Sequence, residues 1–552
     1  MSLPSELMNE MTAALGPDNA VWAPAAVEER TRSCLPQSHI PDGVVTPRTL
    51  EEVRAVLAAA RKHNVPVWTI STGKNWGYGE KAAPYAGGLT MELSRMNRIL
   101  EVNERLGYAV IEPGVTYAQL HDHLRVHAPS LWTDSSGSTK DASVIGNALD
   151  KGRGLTPYAD HFGALCGLEV VLADGRVVRT GGGPDNNRCW NLYKWGVGPY
   201  LDGLFAQSNL GVVVKAGVWL MPAPERYDFM AFEYTAGADR FPAFIEDFRS
   251  LIFQNAIRSR PHLANDFAML CIVSQYPHDL AAGQRTLSPE AMAAWRKKFG
   301  VSAWTFGCGV YGSRGEVAHQ KKRIKKTFAR YGVTRFIGSY VNQGRWGRLY
   351  RWAVHTGMRW MGKSPELIEA IWPAINLFRG VPTDQYAKQV YFKHYDRKPT
   401  DTIDPARDGC GFIWIGPVVP FTGEDAARAM DLARPVFAKH GFDVFIELIV
   451  ESPRALIALF GVFYDKKSAE ERARGAAWYK DMREAFLDAG YPPYRVGTGS
   501  QPGAFDRTPV LRDVVHREKE ARPTTGPGPP PRMEVAACAV SPLPGCLMKN
   551  RP

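Results

Sequence analysis

A capped helix, a strand and a glycine-bearing loop follow one another near the start of the chain. Thr49 and Glu52 match the two ends of a capping box, and the apolar positions after them recur with the helical period. The strand VPVWTI at 65–70 leads directly into the loop STGKNWGYG at 71–79. This loop matches neither GxGxxG nor GxxxxGK[ST], which excludes the two common nucleotide-binding loops. Its glycines and Lys74 suit a diphosphate cradle, but by itself the loop favours a plain surface turn.

The pattern of elements changes near residue 222, which predicts two domains. Before it, short strands are separated by glycine-rich turns. After it, strands and helices alternate, which is typical of helices that cover one face of a largely antiparallel sheet. The predicted fold class is α+β, with a first domain at 1–222, a second domain at 223–500 and a Pro/Gly-rich tail without packing at 521–552.

Composition excludes several other classes of protein. The 552 residues are 45% hydrophobic, which excludes a disordered or disulfide-stapled chain. Lys and Arg outnumber Asp and Glu by 67 to 56, and the one dense basic run, at 319–330, spaces Ile324 and Phe328 as on one helical face. That run is typical of a solvated helix, so we expect no nucleic-acid partner.

Membrane and metal signals are also weak. The apolar runs are shorter than the roughly 18–20 residues that cross a bilayer, and the N-terminus lacks a signal-peptide pattern. We therefore expect a cytoplasmic protein with no membrane partner. The eight cysteines include no CxxC pair, and His121, His123 and His127 do not share one helical face, so no metal is expected.

Several longer motifs occur in a fixed order across roughly residues 40–500. They are PRTLEEV, WTISTGKNWGYG, MNRILEVN, YAVIEPGVTY, SVIGNALDKGRGLTPYADHFG, LEVVLADGRVVRTGGG, WGVGPYLDGLFAQSNLGVVVKAGVWLMP and AGYPPYRV. Together they resemble the vanillyl-alcohol oxidase / p-cresol methylhydroxylase family of flavoproteins. The resemblance implies a PCMH-type FAD-binding domain over 1–222, an α/β cap domain with an antiparallel sheet over 223–500, and FAD as the cofactor.

The resemblance also implies a reaction. In this family a 4-substituted phenol binds as its phenolate, and hydride leaves the carbon para to the oxygen for the flavin. The resulting quinone methide takes up water or rearranges. Tyr78, Tyr494 and Arg495 match the phenolate-binding residues, and Tyr158 matches a further pocket tyrosine. Donors and positive charge suit an oxyanion in a dry pocket, but the same residue types also serve packing, and for Tyr158 the two interpretations are balanced.

For the flavin, the resemblance implies a set of small and polar residues in four loops and one strand. Glycines and backbone amides suit a diphosphate, although some of these residues also serve their turns. The implied residues are Thr72, Gly73, Lys74, Asn75, Pro113, Gly114, Val115, Thr116, Ser143, Gly146, Asn147, Gly211, Val213 and Tyr391.

The sequence departs from the family where a covalent flavin link is expected. Family members often carry the flavin on a histidine or a tyrosine of the cap. Phe412 occupies the histidine position, and Val390 occupies the tyrosine position, with Tyr391 beside it. Attachment through Tyr391 needs a one-residue shift, so covalent and non-covalent FAD are both open.

Acidic residues near the substrate are displaced as well. Tyr386 stands where the family has a glutamate, and Asp384 lies two residues away. The segment 134–143 offers serines where some oxidases hold an acid beside the flavin. The sequence therefore leaves open how water would add to the quinone methide.

The C-terminal end departs most. HREKEARPTTGPGPPPR at 516–532 replaces a segment that returns to the flavin domain in the family. Three alternatives to a phenol-oxidising enzyme stay open: the same fold acting on a non-phenolic alcohol, a degenerate flavin-fold protein, and, more remotely, a basic nucleic-acid binder. For the enzyme, the family implies a small phenolic substrate, a cytochrome or other electron acceptor, and a homo-oligomer.

Overall fold

The computed structural model describes residues 3–196, 198–338, 344–393, 402–503 and 506–513. Its α-helices are α1 (Ser5–Leu15), α2 (Pro24–Arg30), α3 (Leu50–Lys62), α4 (Tyr117–His127), α5 (Val144–Leu149), α6 (Phe241–Phe253), α7 (Asp266–Val273), α8 (His278–Ala281), α9 (Pro289–Phe299), α10 (Arg314–Phe328), α11 (Gly344–Trp360), α12 (Pro365–Leu377), α13 (Gly423–His440) and α14 (Ala469–Asp488).

The strands alternate with these helices. They are β1 (Ala20–Val21), β2 (Gly43–Val45), β3 (Val67–Ile70), β4 (Leu89–Glu92), β5 (Ile99–Asn103), β6 (Tyr108–Ile111), β7 (Leu131–Trp132), β8 (Leu165–Val171), β9 (Val177–Arg179), β10 (Val212–Trp219), β11 (Met221–Pro222), β12 (Arg226–Tyr234), β13 (His262–Asn265), β14 (Trp304–Gly312), β15 (Gly332–Gly338), β16 (Cys410–Ile415), β17 (Val418–Pro420), β18 (Phe445–Ser452) and β19 (Ala455–Asp465). The mixture confirms the predicted α+β class.

The first domain contains a mixed sheet and an antiparallel sheet. In the mixed sheet, β2 and β3 each pair in parallel with β4, and β1 pairs antiparallel with β2. The antiparallel sheet has the order β5-β6-β10-β8-β9, and β7 pairs separately with β11. Sheet membership changes between Pro222, the last residue of β11, and Arg226, the first of β12.

The second domain is built on one eight-stranded antiparallel sheet. Its order is β15-β12-β14-β13-β18-β19-β16, and β17 also pairs with β19. One face packs on α6, α10, α13 and α14 through an aromatic core that includes Phe232, Phe244 and Phe328. The other face turns Phe229, Ala231 and other alternate residues of β12 toward a cavity, which α11 and α12 help to enclose.

Helix starts follow the predicted capping chemistry with one difference. The Thr49 side chain accepts from Glu52 N at 3.1 Å and caps α3, but the Glu52 carboxylate accepts from Arg48 N at 2.6 Å rather than from the cap residue. The complete capping box lies instead at Ser313 and Glu316, where the basic helix α10 begins. Ile324 and Phe328 of α10 are buried, so its charged residues lie on the opposite side.

The chain returns to the first domain before residue 501. Thr498 N donates to Tyr78 O at 2.8 Å, and Gln207 Nε2 donates to Val496 O at 3.1 Å. Of residues 501–520, which the family resemblance predicts to return to the first domain, 504–505 and 514–520 lie outside the described residues, as does the whole of the predicted tail, 521–552.

Candidate active site

A cavity of about 900 Å³ lies between the two domains. The first domain contributes the loop after β3, the start of α5 and the beginning of β10. The second contributes the alternate residues of its sheet and the inner sides of α11 and α12. The returning segment at 494–501 closes one end. Its size and its position between domains are typical of a cofactor and substrate site.

The loop after β3 is held by a buried carboxylate that the sequence did not single out. Glu80 accepts from Gly77 N at 2.7 Å, from Cys34 N at 3.2 Å and from Ser33 Oγ. Burial raises the pKa of Glu80, and these donors act against that rise. Gly77 has φ +77°, and a Cβ there would lie 2.6 Å from the Phe412 ring, so glycine lets the loop pack closely against the cap.

The three residues predicted to bind a phenolate converge at this cavity. Tyr494 Oη donates to Tyr78 Oη at 3.1 Å, and the two rings meet edge to face. The guanidinium carbon of Arg495 lies 3.8 Å from the centre of the Tyr78 ring. The Tyr494 backbone is fixed by Gly416, whose carbonyl accepts from Tyr494 N at 3.0 Å.

Asp150 ties this group to the glycine-bearing loop. Its Oδ2 accepts from Arg495 Nη1 at 2.8 Å and from Asn75 Nδ2 at 2.6 Å, and its Oδ1 accepts from Gln207 Nε2 at 2.8 Å. Sequence reasoning missed Asp150 as a site residue, although it ends the ALD of the SVIGNALD motif. One carboxylate therefore orients groups from three separate parts of the chain.

Burial sets the protonation of these groups. It raises the pKa of Tyr78 and of Tyr494, so both hydroxyls keep their protons at neutral pH. For Arg495, burial acts against the charge, but Tyr494, Asp150 and Tyr78 outweigh it, and the pKa of Arg495 lies above its ordinary value. Two neutral donors and one cation are therefore gathered at one place, which suits an oxyanion.

A second polar group lines the cavity on the cap sheet. Gly416 and Ile457 underlie the Tyr494 ring, and His262, Ile449 and Ile457 lie in one row across neighbouring strands. Two strand spacings put the backbone of His262 about 10 Å from that of Ile457. His262 and Tyr494 both line the cavity.

His262 is held by a carboxylate from the next strand. Its Nδ1 lies 3.3 Å from Glu447 Oε2, while its Nε2 is buried and has no partner among the described residues. Both residues line the cavity. Sequence reasoning missed the pair because its members are 185 positions apart and belong to no common motif.

Most of the predicted flavin-binding residues line the cavity, and four do not. Gly114 and Val115 are packed inside the turn after β6, where Gly114 N donates to Met96 O at 2.7 Å. The Thr116 hydroxyl caps α4 by accepting from Gln119 N at 3.2 Å. These three residues, like Tyr391, are absent from the wall, which includes Thr72, Gly73, Lys74, Asn75, Pro113, Ser143, Gly146, Asn147, Gly211 and Val213.

Two predicted tyrosines do not line the cavity. Tyr158 packs at the edge of a hydrophobic cluster that contains Phe378. Tyr391 is fully buried, and its Oη donates to Asp408 Oδ2 at 2.7 Å and accepts from Asp404 N at 3.2 Å. A hydroxyl held in this way does not face a flavin in the cavity, so the geometry disfavours a link through Tyr391.

The residues at the family's other altered positions have separate roles. Phe412 packs on Trp414 and Phe463 beneath the loop and does not line the cavity. Tyr386 lines the cavity, and burial raises its pKa. Asp384 does not line it, because its carboxylate accepts from Thr139 Oγ1 and Lys140 Nζ, each at 2.7 Å.

The cavity wall carries buried polar atoms that a ligand would satisfy. Among the described residues, these atoms have no hydrogen-bond partner: Trp68 Nε1, Thr69 Oγ1, Arg153 Nε, His262 Nε2, Arg495 Nε and Gln501 Oε1. Buried polar groups are costly unless they are paired. Trp68 and Thr69 belong to β3, directly before the glycine-bearing loop. These polar atoms and the size of the cavity fit a polar, extended cofactor such as FAD.

Comparison with known proteins identifies the family. A model described as an FAD binding domain matches residues 41–181. The flavoprotein subunit of 4-cresol dehydrogenase [hydroxylating] from Pseudomonas putida is 30% identical over 527 residues, which cover 94% of this chain and 93% of that protein. The chain belongs to the vanillyl-alcohol oxidase / p-cresol methylhydroxylase family. It is an FAD-dependent oxidoreductase.

Other relatives of this flavoprotein differ in the activities that their names give. The 1'-carboxy-chondrochloren decarboxylase of Chondromyces crocatus is 34% identical over 482 residues, 87% of each chain. A solved p-cresol methylhydroxylase with substrate bound has a TM-score of 0.83 at 27% identity and covers 97% of this chain and 96% of its own. The 4-ethylphenol oxidase from Gulosibacter chungangensis has a TM-score of 0.81 at 26% identity over 94% of each chain. Among the described residues, no helix is both long and apolar enough to span a membrane.

Proposed function

We propose that this flavoprotein oxidises a 4-alkylphenol or a 4-hydroxybenzylic alcohol at the carbon attached para to the phenol oxygen. The observation that carries the proposal is the convergence of Tyr78, Tyr494 and Arg495 at the cavity between the domains. A non-phenolic alcohol would give this buried, donor-rich group no anion to bind.

The phenol site acts by stabilising the ionised substrate. The Tyr78 and Tyr494 hydroxyls stay protonated and donate to the phenolate, while the Arg495 guanidinium balances its charge. Ionisation pushes electron density from the oxygen through the ring to the para position, where hydride is released. Asp150 keeps Arg495 in place. Burial raises the pKa of Asp150 and Arg495 acts against that rise; in its ionised form, Asp150 limits how strongly the site stabilises the phenolate.

FAD would be held without a covalent bond by the loop after β3, the start of α5 and the start of β10. When bound, it would supply the oxidising group that accepts the hydride. Ser143 Oγ accepts from Gly146 N at 2.8 Å and fixes the start of α5 against the loop, where Ser143 N donates to Thr72 Oγ1 at 3.1 Å. Electrons would leave through a cytochrome or another acceptor, in a homo-oligomer as the family resemblance implies.

His262 completes the reaction at the far end of the row. Loss of hydride leaves the substrate as a quinone methide, and water adds to its exocyclic carbon. In the tautomer that carries its proton on Nδ1, His262 donates to Glu447 Oε2, and its Nε2 then presents a lone pair that takes the proton from that water. This pair stands in for the glutamate that Tyr386 replaces.

The test is anaerobic reduction of the FAD-loaded protein. 4-Ethylphenol should bleach the flavin absorbance, and its O-methyl ether, which cannot ionise, should not. Equal bleaching by both compounds, or by neither while FAD remains bound, would contradict the proposed substrate class.

A second candidate is oxidative decarboxylation, which the name of the Chondromyces relative favours. For a 4-hydroxyphenyl group with a carboxylate on the second side-chain carbon, hydride loss from the first carbon gives the same quinone methide. The bond to the carboxylate then breaks, its electron pair forms the side-chain double bond, the ring becomes aromatic again, and CO₂ leaves. This route needs no base for water. Release of CO₂ from 3-(4-hydroxyphenyl)propanoate, with 4-vinylphenol as product, would distinguish it from hydroxylation.

A further inference from the structure

Helix α11 presents two different apolar surfaces. One side closes the cavity: Tyr350, Val354 and Met358 are part of the wall, and Met358 is buried. The helix is held there partly by His355, whose Nε2 accepts from Trp372 Nε1 of α12 at 2.7 Å. This side accounts for only part of the helix's apolar residues.

The second apolar side faces outward. Leu349 is 54% exposed, Trp352 is 65% exposed and Trp360 is 89% exposed. Their spacing of three and eight residues places them within one narrow stripe along the helix, which Ala353 and Thr356 continue. Exposed tryptophans in such a stripe are unusual on a surface that meets only water.

The charge that α11 itself carries is positive, and Glu369 of α12 lies beside it, with its Oε1 3.6 Å from His355 Nδ1. The sequence of α11 contains Arg345, Arg348, Arg351 and Arg359 and no acidic residue. The end of α9 adds Lys297 and Lys298, both exposed, and it adjoins the end of α11 where Ser364 N donates to Phe299 O at 3.3 Å. A tryptophan-bearing apolar stripe flanked by arginine and lysine matches a helix that lies in the interface of an anionic bilayer.

We propose that α11 docks this flavoprotein on an anionic lipid surface, with Leu349, Trp352 and Trp360 entering the headgroup region. A second copy of the chain fits the surface less well, because a two-fold contact along α11 would bring two sets of arginines together without an acid in either helix. The sequence predicted no membrane partner. A helix that lies on the surface needs none of the length required to cross a bilayer.

Docking would place the outer wall of the cavity at the lipid surface. Because α11 forms the wall between the stripe and the cavity, an apolar phenol that gathers in the bilayer would be concentrated beside that wall. This consequence rests on the proposed function, whereas vesicle binding does not. The two are therefore tested by separate measurements.

The experiment is flotation of the FAD-loaded full chain with vesicles of phosphatidylcholine alone and of phosphatidylcholine with phosphatidylglycerol at 7:3. Wild type should float with the anionic vesicles and stay behind with the neutral ones. The W352S/W360S variant should bind at least about tenfold more weakly, and R359Q about fivefold more weakly, as expected for one basic residue at a charged surface.

The control is W195S, because Trp195 is also exposed, at 58%, but lies in the first domain. It should bind like wild type, and all variants should retain FAD and their circular dichroism spectrum. The proposal is overturned if wild type does not float, if W352S/W360S floats equally well, or if light scattering shows that W352S/W360S converts an oligomer to a monomer. Phenol oxidation by free protein with a soluble substrate tests the proposed function independently of these outcomes.

Discussion

Removing the charge of Arg495 should raise the pKa of a phenol bound in the cavity. At about 4 Å from the phenolate oxygen, the guanidinium would contribute about 4 kcal/mol at an effective dielectric constant of about 20. Asp150 lies behind Arg495, with a 2.8 Å hydrogen bond between them. Its repulsion, from about 7 Å, cancels about 2 kcal/mol. The net stabilisation of about 2 kcal/mol corresponds to about 1.5 pKa units.

The same arithmetic gives opposite signs for two substitutions. Arg495→Met in the presence of Asp150 should raise the pKa of the bound phenol by about 3 units, because it removes the attraction of about 4 kcal/mol and leaves the repulsion. Asp150→Asn keeps the cation and removes the repulsion, so it should lower that pKa by about 1.5 units. Asn at position 150 keeps an oxygen that can accept from Arg495.

The assay is a pH titration of 4-hydroxybenzaldehyde bound to the FAD-loaded protein, because its phenolate absorbs at longer wavelength than its neutral form. Difference spectra against ligand-free protein remove the flavin contribution. The reasoning is refuted if both substitutions move the pKa in the same direction, since that would mean that Asp150 acts only by positioning. It is also refuted if neither substitution moves it.

Three further outcomes test other parts of the site. His262→Gln should reduce the yield of hydroxylated product from 4-ethylphenol about a hundredfold, while the rate of flavin reduction by the phenol stays within a factor of about three. Product analysis measures the first quantity and anaerobic stopped flow the second. A parallel loss of both would assign His262 to substrate binding. Tyr391→Phe should leave FAD in the supernatant after acid precipitation, as in wild type. Urea unfolding should show a loss of about 1 kcal/mol in the free energy of unfolding, because the hydrogen bond to Asp408 is lost. Colour in the wild-type pellet alone would show a covalent link through Tyr391. Because burial raises the pKa of Glu80, the folded state binds the Glu80 proton more tightly than the unfolded state does. The stability of the protein should therefore fall as pH rises above the ordinary pKa of 4.5. Glu80→Gln should make the melting temperature depend less on pH over that range.

The fold was predictable where the signal is local or lies in ordered motifs. The Thr49 cap begins α3, and the apolar side of the basic helix places Ile324 and Phe328 in the core. The motif order predicted the family, which comparison confirms. The reciprocal half of the capping box at Glu52 differed, because its carboxylate accepts from Arg48 N at 2.6 Å.

Parts of the site depend on pairings that no local pattern encodes. His262 and Glu447 meet only because β13 and β18 are neighbours in the sheet, in the register that opposes Ala264 to Glu447. The helical pattern alone is typical of core positions for Trp352 and Trp360, but in the structure both side chains are exposed. Gly114, Val115 and Thr116 belong to a motif shared with flavoproteins, but in the structure they build the turn that positions Pro113.

Asp150 links the two ligands that the cavity is built to hold. Its Oδ2 receives hydrogen bonds from Asn75 in the glycine-bearing loop and from Arg495 beside the phenol site. When a carboxylate and a phenolate share one cation, each anion interacts with it less strongly than it would if the other anion were absent. Ionisation of the phenol therefore weakens the interaction between Asp150 and Arg495. The loop that carries Asn75 responds to the same carboxylate. Through Asn75, the same network holds the glycine-bearing loop, whose Tyr78 hydroxyl accepts from Tyr494 Oη.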